Sequence, residues 1–268
     1  MTAARRLVYV TGVLTLCVWI LLPIYMIGLG ALGGRAGAFR WPKTLWPANL
    51  SFAQLQTFLE IEGVWNAALN SVIAAGLTML FSIALGAPAG YALARYDFRG
   101  QNAFRLLVLM TRAFPLAILA LPLTVSFIRV GLYDTPLGVS LIHTALALPF
   151  AVLVLASLFQ GIPRELEEAA WVFGASRWQA ILKVVVPLAA PGLAAAGIFA
   201  FVISWNEVFA ASVLTVRERT LTAYLLSVLS ESPLHYRFAG GFVLIVPSVV
   251  FIFAVRRYLF AMWGIGNR

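Results

Sequence analysis

Residues 165–179 read ELEEAAWVFGASRWQ, a charged and polar stretch within a chain that is otherwise mostly apolar. Three carboxylates, at Glu165, Glu167 and Glu168, follow closely on Pro163. Proline is favoured in the first turn of a helix, and acidic groups are stabilised at the positive end of the helix dipole. The pattern therefore predicts that a helix begins here. Between two apolar spans, such a helix would present a surface to a partner beside the membrane.

The second half of this stretch carries the signals of an elbow followed by another helix. Gly174 is expected to end the first helix, because glycine readily adopts the left-handed conformation found after helix ends. Ser176 and Gln179 have the spacing of a capping box, which predicts a second helix. Pro187 predicts a joint before the next apolar span. We call residues 161–187 the polar loop.

The composition around the polar loop is typical of a polytopic membrane protein. Hydrophobic residues make up 62% of the 268 positions and charged residues only 11%, which is too few charges to cover a soluble domain. The net charge of +9 is therefore attributed to loops at the membrane surface, with no nucleic acid as a partner. Cys17 is the single cysteine, which excludes an intrachain disulfide and a cysteine-cluster metal site.

Six segments are long and apolar enough to span a bilayer, which needs about 20 residues. They cover residues 7–32, 64–93, 104–128, 135–159, 188–214 and 239–255. Because backbone groups in lipid must be paired within the segment, we expect helices and an all-α fold. The first run is longer than the core of a signal peptide, about 7–15 residues, and is predicted to be retained. The whole chain, 1–268, is expected to form one membrane domain, with an outside loop at 33–63 and a core at about 64–260.

The distribution of Lys and Arg predicts that both termini lie in the cytoplasm, because cytoplasmic loops carry the excess of positive charge. With this orientation, the inside residues are Arg5, Arg6, Arg95, Arg99, Arg105, Arg164, Arg177, Lys183, Arg256, Arg257 and Arg268. The outside residues are Arg35, Arg40, Lys43, Arg217, Arg219 and Arg237. The polar loop is then cytoplasmic.

The polar loop resembles a known family. The order Glu168-Ala169-Ala170, Gly174, Val184 and Val186-Pro187 follows the EAA motif of ATP-binding-cassette (ABC) importer permeases, with Val184 and Val186 where the motif usually has Ile and Leu. Residues 91–100, YALARYDFRG, and 204–207, SWNE, resemble the shorter permease subunit of carbohydrate transporters of the maltose type. The resemblance covers most of the chain from about Asn70 onward.

This resemblance implies a type I ABC importer permease fold, in which the polar loop is a coupling helix docked on a dimeric cytoplasmic ATPase. The residues expected to couple to the ATPase are Glu168, Ala169, Ala170, Gly174, Ser176 and Pro187. ATP would be used by that partner, since this chain has no phosphate-binding loop of the Gly-x-x-x-x-Gly-Lys-Ser/Thr type. Other implied partners are a second permease subunit, expected to be a different chain, an extracytoplasmic binding protein and the lipid of a bacterial or archaeal plasma membrane.

Polar residues inside the predicted spans are candidates for a substrate pathway. Arg112 interrupts one span, although a long arginine can also snorkel to the interface. Trp205, Asn206 and Glu207 combine an aromatic ring with hydrogen-bonding groups, which suits a sugar; the alternative is a cluster that packs at a helix end. Arg112 and Glu207 are predicted to lie too far apart in depth to pair. His143 is expected to be a hydrogen-bonded packing residue, and the sequence suggests neither a metal site nor a catalytic set.

The leading interpretation is a permease subunit of an ATP-driven importer of a mono- or oligosaccharide or a sugar alcohol. An ABC permease for a polyamine, phosphate or an amino acid shares the EAA motif and stays open as an alternative. A stand-alone secondary transporter or channel would be expected to show internal repeats and paired carboxylates near the membrane midplane. A membrane scaffold that binds a soluble enzyme through the polar loop is a third class.

Overall fold

The computed structural model describes residues 3–42, 44–46, 49–229 and 232–262. Lys43 and Arg268, which were used for the predicted orientation, lie outside these residues. Residues 1–2 and the rest of 263–268 lie outside them as well. The described chain forms these α-helices: α1 Ala3–Leu32, α2 Gly34–Phe39, α3 Ala53–Glu60, α4 Val64–Arg95, α5 Gln101–Met110, α6 Leu116–Arg129, α7 Pro136–Gln160, α8 Glu165–Val172, α9 Arg177–Ala180, α10 Val186–Asn206, α11 Phe209–Leu214, α12 Leu221–Leu229 and α13 Leu234–Met262.

The expectation of an all-α membrane protein with about six spans is confirmed. Among the described residues, five helices are long and apolar enough to cross a bilayer, and a sixth span results if one bent pair of helices counts as one. The five are Arg5–Leu32, Val64–Arg95, Pro136–Gln160, Arg177–Asn206 and Leu234–Phe253.

The predicted span at 104–128 corresponds to two helices and not to one continuous helix. Helices α5 and α6 are bent by 87° relative to each other, with a 3-10 turn at Thr111–Ala113 between them. The cause is Pro115, because proline forces the residue before it into an extended conformation. Phe114 has φ −73° and ψ 120°, which is incompatible with a continuous helix.

The helix observed in the region of the predicted span at 188–214 has different bounds at both ends. A continuous helix runs from Arg177 to Asn206, so Pro187 does not mark a joint. Instead, Ile181–Val185 form a π-helical turn just before Pro187, which lacks the N–H that a regular helix would donate to the preceding turn. At the other end Glu207 is extended, with φ −75° and ψ 127°, and it separates α10 from α11.

The chain divides into two compact units. One combines Met1–Trp65 with Tyr224–Pro247, and the other combines Asn66–Ala223 with Ser248–Arg268. In the first unit, the Tyr224 hydroxyl donates to the Glu62 carbonyl at 2.6 Å. The polar loop and the polar residues predicted inside the spans all belong to the second unit. The assignment of 1–268 to a single domain stays a prediction.

Helix α7 lies at the centre of the second unit, packed against α4 and α10. Glycines allow the close approach: a Cβ at Gly90 would lie 2.9 Å from the backbone nitrogen of Ala156. Beside this contact, Leu155 and Phe159 of α7 pack with Val185 in a buried apolar cluster. Small residues at helix contacts are the usual means by which membrane helices approach closely. This packing places the end of α7 directly beneath the polar loop.

Candidate functional site

The polar loop consists of two helices that meet at a glycine elbow, as predicted. Helix α8 ends at Val172, and Gly174 has φ +85°, a value that side chains with a Cβ rarely adopt. Helix α9 begins with the predicted capping box: the Gln179 backbone N–H donates to Ser176 Oγ at 3.3 Å, and the Ser176 N–H donates to Gln179 Oε1 at 2.9 Å. The elbow therefore has a defined geometry.

The elbow presents large apolar side chains that no part of the chain within the described residues covers. Val172 is 85% exposed, Phe173 is 90% exposed and Trp178 is 73% exposed. Large apolar side chains that are exposed close together in the chain are typical of a protein or membrane interaction site. The charges of α8 lie next to it, so the surface is mixed in character. This arrangement is expected of a docking surface at the tip of a loop.

The structure brings five of the six predicted coupling residues to this tip. Glu168, Ala169, Gly174 and Ser176 are exposed, and Ala170 is half-buried. Pro187 is exposed too, but it lies in α10, about three turns of helix beyond Ser176. A cleft of about 230 Å³ lies beside the tip, and Glu168, Trp171 and Arg177 are among its lining residues. This cleft offers charges of both signs and an aromatic face to a partner's side chains.

A buried ion pair that the sequence analysis missed joins the polar loop to the end of α4. Arg95, the last residue of α4, donates from Nε to Glu167 Oε1 at 2.5 Å, and the two side chains are only 7% and 4% exposed. The Tyr91 hydroxyl donates to the other oxygen, Glu167 Oε2, at 2.6 Å. Removing one partner from a buried pair typically costs about 3–5 kcal/mol, because the remaining charge is left unpaired. The signal in the sequence is Arg95 itself, which the sequence analysis uses only as one of the cytoplasmic positive charges.

Two arginines also satisfy backbone carbonyls at the neighbouring helix ends, which lack partners within their own helices. Arg95 donates to the carbonyls of Phe159 at 2.8 Å and Ile162 at 3.0 Å, at the end of α7 and just after it. Arg164, which precedes α8, donates to the Arg95 carbonyl at 2.8 Å. The ends of α4 and α7 and the start of α8 are thus tied together.

A second polar cluster joins α7 to the break between α10 and α11. His143 is fully buried; its Nε2 lies 3.0 Å from Glu207 Oε2 and its Nδ1 lies 2.7 Å from Ser204 Oγ. A carboxylate only accepts, so in the neutral ring Nε2 carries the proton and Nδ1 accepts from the serine. The prediction that His143 is a hydrogen-bonded packing residue is confirmed.

Glu207 has a local structural role as well. Its carboxylate accepts backbone N–H groups from Phe209 at 2.9 Å, Ala210 at 3.0 Å and Ala211 at 3.2 Å, which caps α11. Because this carboxylate binds both His143 and the start of α11, it stabilises the interruption of the helix. The sequence signal for this break was the polar group Asn206-Glu207 inside an apolar run.

The residues predicted for the substrate pathway do not form one open site. The Trp205 ring is buried and stacks on Phe201 at 6.0 Å, whereas Asn206 is exposed and donates to the Val202 carbonyl of its own helix at 2.9 Å. Arg112 is exposed in the turn between α5 and α6. Their role in a substrate pathway stays a prediction.

A third polar connection joins the loop before α7 to the loop after α11. The Asp134 carboxylate accepts the N–H groups of Val216 at 2.7 Å, Arg217 at 3.0 Å and Glu218 at 3.0 Å. Burial raises the pKa of Asp134, but these three hydrogen bonds outweigh it and hold the pKa below its usual value. Within the described residues, no group of three or more His, Cys, Asp or Glu side chains could hold a metal ion.

Comparisons with known proteins identify the family. Residues 82–261 match the family described as binding-protein-dependent transport system inner membrane component. The trehalose transport system permease protein SugB of Mycobacterium tuberculosis is 34% identical over 80% of this chain and 81% of its own length. The arabinooligosaccharides transport system permease protein AraQ of Halalkalibacterium halodurans is 34% identical over 84% of this chain and 80% of its own length.

A solved structure has the same fold. It is a chain of a bacterial alginate ABC transporter in complex with an alginate pentasaccharide-bound periplasmic protein. The match has a TM-score of 0.67 at 18% identity and covers 98% of this chain and 96% of that one. The family match covers two thirds of the present chain. This chain therefore belongs to the binding-protein-dependent transport system inner membrane components and is a multi-pass subunit of an ABC transporter.

Proposed function

We propose that this chain is a permease subunit of an ATP-driven, binding-protein-dependent importer of sugars. It forms the translocation pathway together with a second permease subunit, expected to be a different chain. It binds no cofactor of its own; a dimeric cytoplasmic ATPase uses the ATP, and an extracytoplasmic binding protein delivers a mono- or oligosaccharide or a sugar alcohol.

The observation that carries this proposal is the exposed elbow of the polar loop. Val172, Phe173 and Trp178 are large apolar side chains held at the tip of a defined helix–glycine–helix unit. Removing such side chains from water at an interface contributes about 25 cal/mol per Å² of apolar surface. A soluble ATPase with a matching groove would cover this surface. Glu168, Ala169, Ala170, Gly174 and Ser176 then lie in the interface, and Pro187 belongs to the helix that leads away from it.

The substrate class rests on the relatives. SugB and AraQ are named for trehalose and arabinooligosaccharides, and the alginate transporter was solved with a pentasaccharide-bound protein. A neutral polyhydroxylated ligand can be held by aromatic faces and hydrogen-bonding groups. Trp205, Asn206, Glu207 and Arg112 are the pathway candidates in this chain.

The direct experiment measures ATPase activity of the complete complex in reconstituted vesicles. We expect the activity to rise when the binding protein of the same system is added loaded with a sugar, tested first with trehalose, and not when the protein is unloaded. The same binding protein is tested with arabinooligosaccharides in a parallel series.

A matched series uses binding proteins loaded with spermidine, phosphate or methionine. Stimulation by one of these, with none from any sugar-loaded protein, would contradict the sugar assignment and leave the ABC permease assignment intact. A chain that transports alone, without ATPase or binding protein, would contradict the proposed function itself.

A further inference from the structure

The contacts beneath the polar loop point to a positioning role for Arg95 and Glu167: we infer that this buried pair locks the polar loop to α4 and α7 as one rigid body. The force of the ATPase is thereby transmitted to the ends of these two helices. The inference rests on the proposed function, since it concerns how the coupling surface is held. It assigns a role to residues outside the coupling motif.

The pair is built as a junction of three elements. Arg95 belongs to the last turn of α4, and its guanidinium binds Glu167 of α8 together with the carbonyls of Phe159 and Ile162. Glu167 is in turn held by two donors, Arg95 Nε at 2.5 Å and the Tyr91 hydroxyl at 2.6 Å. One guanidinium therefore joins α4, the end of α7 and the start of α8.

A reciprocal contact closes the junction from the other side. Arg164, at the start of α8, donates to the Arg95 carbonyl at 2.8 Å. Tyr91 also packs its ring edge-on against Phe159 at 5.6 Å between centroids. Relative rotation of α4, α7 or α8 would break several charge-assisted hydrogen bonds at once, and these are about twice as strong as neutral ones.

The neighbouring acidic residues show why Glu167 has a separate role. Glu165 and Glu168 lie on the same short helix but are exposed, whereas Glu167 is buried. The face of α8 that carries Glu167 therefore binds the membrane helices, and the opposite face stays free for the ATPase. A force that the ATPase applies to the exposed face of α8 is transmitted to α4 and α7 only if the buried face of α8 keeps its position on these two helices.

The experiment measures a distance in the purified complex by pulsed electron paramagnetic resonance. Cys17→Ser removes the single native cysteine, and nitroxide labels are placed at Leu166→Cys on α8 and Leu137→Cys, both exposed positions. The second position lies at the far end of α7, about 35 Å along the helix. For the wild-type pair we expect one narrow distance distribution that is the same without nucleotide and with ATP and vanadate.

Glu167→Gln and Arg95→Gln should broaden this distribution, and Tyr91→Phe should broaden it less, because it removes one hydrogen bond and keeps the ring. Glu165→Gln is the matched control, since it makes the same change of charge on the exposed face. In the same complexes, stimulation of the ATPase by the sugar-loaded binding protein should fall about tenfold in Glu167→Gln. The unstimulated ATPase activity and the content of ATPase subunit should stay at wild-type levels.

Two results would overturn the inference. One is a distribution in Glu167→Gln and Arg95→Gln as narrow as in the wild type. The other is loss of the ATPase subunit from Glu167→Gln, which would make the pair part of the docking surface or of basic folding. If the wild-type complex is not stimulated by any sugar-loaded protein, the proposed function fails. The distance measurement still decides the inference in that case, because it does not depend on the substrate.

Discussion

Gly174 occupies a backbone conformation, φ +85°, that decides the direction in which α9 leaves α8. A Cβ at this position would meet no atom within 4 Å, so the requirement for glycine comes from the backbone and not from packing. The side chains on either side, Phe173 and Trp178, are both exposed, and this turn sets the position of one relative to the other. The residue therefore shapes the proposed docking surface through the backbone turn alone.

Replacing Gly174 by valine should abolish coupling while leaving the protein inserted. A β-branched residue at positive φ is strained by about 1–3 kcal/mol, and relaxation of that strain would turn α9 away. We expect loss of ATPase co-purification and of sugar uptake, at a normal level of the chain in the membrane fraction. Gly174→Asn is the matched control, because asparagine tolerates this conformation better. Equal ATPase binding and uptake in the valine and wild-type proteins would contradict the role of the elbow.

At the scale of helices, α7 approaches α4 so closely that their contact depends on residues without side chains. The contact is formed by Gly90, where an added Cβ would lie 2.9 Å from the Ala156 nitrogen. Gly76, on the same helix, has no atom within 4 Å of such a Cβ. The two glycines thus provide a matched pair on one element.

Gly90→Ala should destabilise the protein by about 1–3 kcal/mol, because α4 and α7 would have to separate. Gly76→Ala should be neutral or slightly stabilising, since alanine is the better helix former. The measurement is the temperature at which each detergent-solubilised variant loses its monodisperse gel-filtration peak. Equal midpoints for the two variants would contradict the close packing of the two helices.

The sequence predicted helices wherever an apolar run is long, because that signal is local. It missed the bend at Phe114-Pro115 and the break at Glu207, since a short interruption within an apolar run can be tolerated or can end the helix. The elbow at Gly174 and the capping box at Ser176 were predictable, as both signals lie within a few residues. The pairing of Arg95 with Glu167 was not, because these residues are 72 positions apart and only the packing of α4 on α7 brings them together.

At the scale of the whole molecule, the orientation in the membrane is a prediction from the excess of Lys and Arg assigned to the cytoplasmic side. In a Cys17→Ser background, Phe98→Cys, in the loop between α4 and α5, should be protected from an impermeant maleimide added to intact cells, and Val130→Cys should be labelled. Both positions are exposed, so access depends on the side of the membrane. Labelling of both positions after permeabilisation is the control, and the reverse pattern in intact cells would contradict the proposed orientation.

The measurement that tests the central claim most directly is photo-cross-linking from the tip of the polar loop in the intact complex. A benzophenone amino acid replaces Phe173, which is 90% exposed, and for comparison Phe114, which is exposed at the bend between α5 and α6. We predict that position 173 forms an adduct whose mass and peptides identify the ATPase subunit, and that position 114 does not. A complex that retains its ATPase but gives no such adduct from position 173, or gives it equally from position 114, would contradict the claim that this loop is the coupling surface.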